Sequence, residues 1–190
     1  MTASPTHLYF IALVPPSPIL EEIREMKEYM AMHYQTKAAL RSPAHITLHM
    51  PFQWRPDREE KLIENLASFA SEKHGFLVNL KDFSAFKPRV IFIDVLPNSQ
   101  LQLLHQDLER MMRKQLNLFN AAWKDHGFHP HMTIAFRDLR PARFDEAWKE
   151  FKNRNFEASF EAIDIVLLKH NQKQWEMYRR FPLKLSAEIG

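Results

Sequence analysis

A strand, an amphipathic helix, a second strand and a second helix follow one another twice along this chain. That repetition restricts its possible folds more than any other feature. Leu8 to Val14 is rich in β-branched and aromatic residues and stops at Pro15-Pro16, which marks a strand. Ser17 then offers a helix cap with Pro18 at the first helical position, and Ile19, Ile23, Met26 and Met30 continue at three-to-four spacing. His45 to Met50 alternates polar and apolar side chains, the period of a half-buried strand. Asp57 with Glu60 reads as a capping box that opens a helix bearing Leu62, Ile63, Leu66 and Phe69. The order returns in a strand over Val90 to Leu96 and a helix capped by Ser99 with Gln102 and carrying Leu101, Leu104, Leu108 and Met111. A strand over His131 to Phe136 and a helix with Phe144, Ala147, Trp148 and Phe151 complete it.

Landmarks hold their register between the halves. Tyr9-Phe10-Ile11 through Pro15 and Ser17 lies over Ile91-Phe92-Ile93 through Pro97 and Ser99 at an offset of 82. His45-Ile46-Thr47-Leu48 lies over His131-Met132-Thr133-Ile134 at 86, and Arg55-Pro56 over Arg140-Pro141 at 85. Loop insertions in a duplicated unit produce such drifts. The expected fold is therefore α+β, with duplicated strand–helix–strand–helix lobes, approximately 8–75 and 90–155, related by a pseudo-two-fold axis. Mainly antiparallel sheets would line a central groove, with the helices outside. Residues 76–86 and 156–183 read as further strands, Phe156 to Lys169 and Trp175 to Leu183 being joined by a turn at Asn171-Gln172-Lys173. A length of 190 residues fits a single bilobal domain over 1–190.

The two aligned strands share the pattern His-x-Thr-x with apolar residues at both x positions. The chain holds ten His and five Thr, from which about 0.3 His-x-Thr triplets are expected by composition; two in matching strands is a specific signal. Alternation places His45, Thr47 and His49 on one face of the first strand, and His129, His131, Thr133 and Ala135 on one face of the second. Imidazoles titrate near neutrality, so one can serve as base while its twin serves as acid. Threonine hydroxyls donate to oxyanions. Two such pairs flanking one groove suit in-line attack at phosphorus.

Composition removes rival chemistries. The absence of cysteine excludes thiol nucleophiles, thiolate metal sites and disulfides, and three glycines leave no Gly-rich phosphate loop. A net charge of +3 from 26 basic and 23 acidic residues describes a mixed surface rather than a polybasic nucleic-acid arm. His7 to Pro16 is too short and lacks the flanks of an export signal, and no stretch approaches the roughly 20 apolar residues of a membrane span. A soluble, cytoplasmic monomer with no membrane partner is the expectation.

With these residues in view, the chain resembles the two-histidine (2H) phosphoesterases, defined by two H-x-T/S-x motifs on a duplicated α+β fold. It looks most like their 2′-5′ RNA ligase / RNA 2′,3′-cyclic phosphodiesterase branch. The resemblance rests on His45-Ile46-Thr47-Leu48 and Pro130-His131-Met132-Thr133-Ile134-Ala135, with weaker support from Phe83 to Val95 and Tyr178-Arg179-Arg180-Phe181. It implies His45 and His131 as an acid/base pair and Thr47 and Thr133 as holders of phosphate oxygens. The implied activity is opening of 2′,3′-cyclic phosphates on RNA ends or nucleotides, with 2′-5′ ligation as the reverse, in RNA processing and without cofactor or metal. RNA-acting relatives often carry PH-x-T-x-AR; here Phe136 stands at the Arg position and Arg137 follows. Strand alternation would turn Arg137 to the other face; Arg137 and Arg89 are candidate substrate contacts, with Lys87 and Arg179 as alternatives.

Two other function classes compete. His126, His129 and His131, with Asp125 and Asp138 near, suggest a metal-dependent hydrolase. A non-catalytic nucleotide- or RNA-binding module on the same fold is the other. His49 and His129 read as solvated strand-rim residues. Among Phe52, Trp54, Phe86 and Tyr178, placed near strand ends where a base could stack, Tyr178 is the favoured substrate contact because of its polar handle.

Overall fold

Eight strands and four α-helices form among residues 5–119 and 127–185, which the computed structural model describes. In chain order they are β1 His7–Leu13, α1 Ile19–Tyr34, β2 Ile46–Trp54, α2 Glu59–Ser71, β3 Phe76–Phe86 and β4 Val90–Val95. They continue with α3 Ser99–Leu116, β5 His131–Ala135, α4 Pro141–Phe151, β6 Glu157–Ala162, β7 Asp164–His170 and β8 Trp175–Pro182. The strands build two antiparallel four-stranded sheets, ordered β2-β1-β7-β8 and β5-β4-β3-β6. The fold is α+β, as the periodicities require.

The repeated order shows in the topology. β2-β1 of the first sheet is answered by β5-β4 of the second, and each sheet borrows its remaining strands from elsewhere in the chain. The helices cross over as well: α1 leaves the first sheet yet packs on β5 and α4, while α3 leaves the second yet packs on β2 and α2. One continuous apolar core results. It joins Tyr9, Ile11 and Leu13 to Ile91, Ile93, Met132 and Ile134 and to the buried stripes of all four helices. Neither half could bury its apolar faces alone, since α1 of the first half packs on β5 and α3 of the second on β2. Phe10 and Ala12 of β1, with Val14 just beyond it, alternate with the core residues and form a second cluster on the reverse face with Val166 and Leu168.

Several local expectations shift. The cap of α3 is Asn98, whose side chain accepts from Leu101 N–H at 2.9 Å, not Ser99. Asp57 does not cap a helix; Arg55 draws its carboxylate at 2.6 and 2.9 Å, and a short 3₁₀ turn over Pro56–Arg58 precedes α2. Ser17 donates to Glu21 at 2.7 Å rather than capping α1, whose N-cap is Pro18. Residues 156–169 are not one strand: exposed Ile163 separates β6, paired with β3 in one sheet, from β7, paired with β1 in the other. The β7–β8 turn does form over Asn171-Gln172-Lys173, with Gln172 at φ 76° and Asn171 Oδ1 accepting from the N–H groups of Lys173 and Gln174. Among the described residues no helix is long and apolar enough to cross a membrane.

Candidate active site

Both His-x-Thr motifs lie on edge strands, β2 and β5, and these edges approach each other. Pairing fixes where the side chains point. Thr47 stands opposite Ala12, and Thr133 opposite Phe92, so both threonines share the sheet face that turns away from the main core. The His45 ring lies 4.8 Å from Phe10 at 47°, and the His131 ring 4.7 Å from Phe92 at 51°. Phe10 and Phe92 are themselves 82 positions apart, so the duplication has placed the same aromatic support beside each imidazole. A second ring extends each row: Trp175 at 4.6 Å from Phe10, and Phe86 at 4.5 Å from Phe92.

Each imidazole is oriented by the same hydrogen bond. Nδ1 of His45 lies 2.8 Å from the Pro43 carbonyl, and Nδ1 of His131 lies 2.7 Å from the His129 carbonyl. A carbonyl only accepts, so Nδ1 carries the proton in both and donates it. The Nε2 lone pair of each neutral ring is thereby left for chemistry. Both histidines and both threonines are half-buried.

Their electrostatic surroundings differ. Burial first, then the Lys27 ammonium, pushes the pKa of His45 down to about 4, against the pull of its Pro43 hydrogen bond. A charge on His131 lowers it further, which places the two rings within electrostatic reach of each other. His131 is also lowered, chiefly by burial, against the pull of its hydrogen bond to the His129 carbonyl; the His129 ring lowers it further, and Asp94, directly across the β4–β5 pair, favours its charged form by the least of these effects. Ala12 holds the position matching Asp94, so His45 has no such carboxylate.

Lys27 is 3% exposed on the apolar stripe of α1 and donates to the Ser42 carbonyl at 3.0 Å. Burial, and beyond it Arg24, lowers its own pKa to about 7. It is charged across the range in which His45 titrates. Lys27→Met therefore removes a repulsive charge and raises the His45 pKa, the sign being that a base beside a cation binds protons less readily. An NMR titration of the His45 ring should register the increase, and an unchanged midpoint would refute the assignment. Lys27 also lines a cavity of about 430 Å³ with Leu20, Ser42, Pro43, Trp175 and Met177, beside the first motif.

Other sequence candidates are placed elsewhere. Tyr178 lies on the opposite sheet face from the histidines: it packs against the core residue Tyr9 at 6.4 Å and donates to Glu59 at 2.5 Å. Trp175 packs on Phe10, and Met177 pairs with Leu168 of the same face, so Tyr178, the next residue, points to the other. Hydrogen bonds from Lys169, Tyr178 and Tyr9 overcome burial and hold the Glu59 pKa down to about 2, marking a structural cluster. Arg89 and Arg137 do meet, but in a separate cavity whose lining includes neither histidine. β5 ends at Ala135, and Arg137, at φ 58°, is in a turn where strand alternation no longer applies.

His49 is not a solvated rim residue. β2 carries irregularities against β1, with Ala12 opposite Thr47 but Ile11 opposite His49, so His49 turns into the core and is 1% exposed. Its ring meets Phe52 edge-on at 5.2 Å, and it lies close enough to His105 of α3 to lower that residue's pKa. Phe52 is a core residue and Trp54 donates to the Arg58 carbonyl; of the four aromatics named from sequence, Phe86 alone contacts the ring of a motif histidine, His131. His129 is near Asp94, at 3.9 Å. His126 and Asp125 lie outside the described residues, and Asp138 is bound to Thr36 and to backbone N–H groups. Among the described residues no three His, Asp or Glu side chains are arranged to hold a metal ion.

A family model described as the 2′-5′ RNA ligase superfamily matches residues 15–174. Curated relatives that bear the name "Putative phosphoesterase" include one from Bacillus mycoides, 22% identical over 148 residues, covering 77% of this chain and 78% of that protein. Another, from Bacillus cytotoxicus, is 22% identical over 177 residues, covering 91% and 95%. Among solved structures, E. coli LigT complexed with 3′-AMP matches with a TM-score of 0.66 at 20% identity, over 94% of this chain and 99% of LigT. A Thermus thermophilus protein, TT0787, matches with a TM-score of 0.64 at 16% identity, over 95% and 99%. At these identities the structural matches speak to the fold.

Proposed function

Because the chain belongs to the 2′-5′ RNA ligase superfamily, we propose that it is a metal-independent phosphoesterase that opens 2′,3′-cyclic phosphates on RNA ends or nucleotides. Reversible 2′-5′ joining would be the same chemistry run backwards. A phosphoesterase activity is what the family and the named relatives support at the coarser level. The finer reading rests chiefly on one observation: two imidazoles on facing edge strands, each fixed through Nδ1 to the carbonyl two residues before it and each followed by a threonine.

In the proposed step, Nε2 of His45 takes a proton from water as its oxygen bonds to phosphorus. The P–O3′ bond breaks, and His131 protonates the departing O3′ from Nε2, leaving a 2′-phosphate. Thr47 and Thr133 donate to the non-bridging oxygens. We assign the base to His45, which burial and then Lys27 keep neutral, and the acid to His131, which alone of the two has a carboxylate, Asp94, across from it. The cavity bounded by Trp175 and Met177 beside His45 is large enough to receive a nucleoside.

The test is a panel of 2′,3′-cyclic nucleotides and cyclic-phosphate-ended RNAs, with the product phosphate located by ³¹P NMR and chelator present throughout. Turnover to 2′-phosphates is expected. Binding without turnover would favour a non-catalytic module, and loss of activity in chelator a metal enzyme. The profile of kcat/KM against pH should be bell-shaped, falling as acid protonates His45 near pH 4 and again as His131 loses its proton below its usual 6.5.

A further inference from the structure

We infer that a second anion site, separate from the histidine groove, lies beyond the C-terminal end of β5 and binds a phosphate group. A cavity of about 390 Å³ there is lined by Arg89, Arg137, Arg140 and Arg143, together with Asp138 and Tyr34 among others. Four guanidinium groups around one cavity repel each other unless something negative lies among them. Arg143 has Glu146 at 2.7 Å, whereas Arg89, Arg137 and Arg140 have no acidic partner among the described residues. Asp138, which accepts from Thr36 Oγ1 at 2.6 Å and from the N–H groups of Lys37 and Ala38 at 2.8 and 3.1 Å, keeps its negative charge and offsets one guanidinium, so the lining stays net positive.

The duplication supplies an internal control. Arg55-Pro56 occupies the matching place in the first half, and there Asp57 neutralises Arg55 while Glu59 and Glu60 open α2. In the second half Ala142 stands where Asp57 would, and the first turn of α4 contains no acid. Arg140 and the unbonded N–H groups at the start of α4 thus present uncompensated positive charge to the cavity. Arg137 joins them through its left-handed backbone, with its guanidinium carbon 5.2 Å from the Phe136 ring. Arg89 comes from the β3–β4 turn.

Planar guanidinium forks match phosphate oxygens in pairs, and the cavity can accommodate a phosphate or pyrophosphate group. The phosphate could belong to a polynucleotide or to a free nucleotide. Arg137 is four residues beyond Thr133, so their Cα atoms are at most about 14 Å apart, a gap that an RNA chain with its end at the histidines could cross. In that polynucleotide form alone, the inference rests on the function proposed above.

Calorimetric titration of the whole protein with pyrophosphate, and with a six-nucleotide oligouridylate, tests the site. Wild type and a His45→Ala/His131→Ala variant should both bind pyrophosphate. Arg89→Gln/Arg140→Gln should weaken binding by about tenfold for each arginine lost. Arg89→Lys/Arg140→Lys, which keeps the charge but loses the fork, should recover it in part. Arg89 and Arg140 are both exposed, so coincident melting curves are expected. Weakening that extends to oligouridylate assigns the site to a polynucleotide phosphate, and weakening confined to pyrophosphate assigns it to a free nucleotide; both support the site. No binding to wild type, binding unchanged by Arg89→Gln/Arg140→Gln, or binding abolished by the histidine substitutions would overturn it. Failure of the proposed hydrolysis would look different: no turnover of cyclic substrates, with arginine-dependent pyrophosphate binding intact.

Discussion

His45→Ala and His131→Ala should each lower turnover of a 2′,3′-cyclic substrate by about 10²–10⁴, the usual worth of one positioned acid or base. The two losses should not multiply in the double variant, because proton removal and proton donation belong to one concerted displacement. His45→Ala should also abolish the acidic limb of the pH profile, since that limb is assigned to His45 near pH 4. His131→Ala should abolish the basic limb. Both rings are half-buried at sheet edges and make one backbone hydrogen bond each, so truncation should leave the fold intact. Circular dichroism and melting curves separate a lost catalytic group from a lost structure. Near-wild-type turnover in either variant would sink the acid/base assignment.

Phe92→Ala should cost about 3–5 kcal/mol of stability, the range for emptying a buried aromatic site. Phe92 is 1% exposed and packs simultaneously on Phe86, His129 and His131, so no neighbouring backbone is free to fill the space. A fall in the urea midpoint at unchanged slope would measure the loss. The ring is also a positioning residue, because His131 leans on it at 4.7 Å. Phe92→Leu, which restores most of the volume, should therefore recover stability more fully than kcat, with KM little altered. Equal recovery of stability and kcat would mean that the ring only fills space. Phe10, at 4.8 Å from His45 and 3% exposed, should behave in parallel in the first half.

Much of the fold was legible because period and repetition are local properties of the chain. The strand read over 76–86 matches β3 to its end residues, Phe76 and Phe86, and three-to-four spacing marked the buried stripes of α2 and α3, where Leu62, Leu66, Leu101, Leu104 and Leu108 are indeed inside. The candidate site was legible for a similar reason: the spacing of two puts Thr47 and Thr133 on the faces of Phe10 and Phe92. Phe10 and Phe92 themselves were overlooked as site residues, although their common offset of 82 was in the alignment. Lys27 too had a signal, a lone charge on the stripe Ile23, Lys27, Met30, four and three residues from its apolar neighbours.

Other features depend on partners distant in sequence. The Asp57 capping box failed because Arg55 competes for the same carboxylate, which pattern matching cannot weigh. Alternation carried His49 to the wrong face because irregular pairing with β1 adds residues to β2 that β1 does not match.

Sequence alone determined the element types, the duplication and the two His-x-Thr strands, since each is written in spacings of two to four residues or in a constant offset. Tertiary structure decided the exchange of α1 and α3 between sheets, the separation of β6 from β7, and the meeting of Arg89 with Arg137. It also decided which histidine has a lysine behind it and which an aspartate across from it. These follow from contacts between residues far apart in the chain, set by how both halves bury their apolar faces together. A symmetric motif thus acquires unequal imidazoles only when the chain is folded.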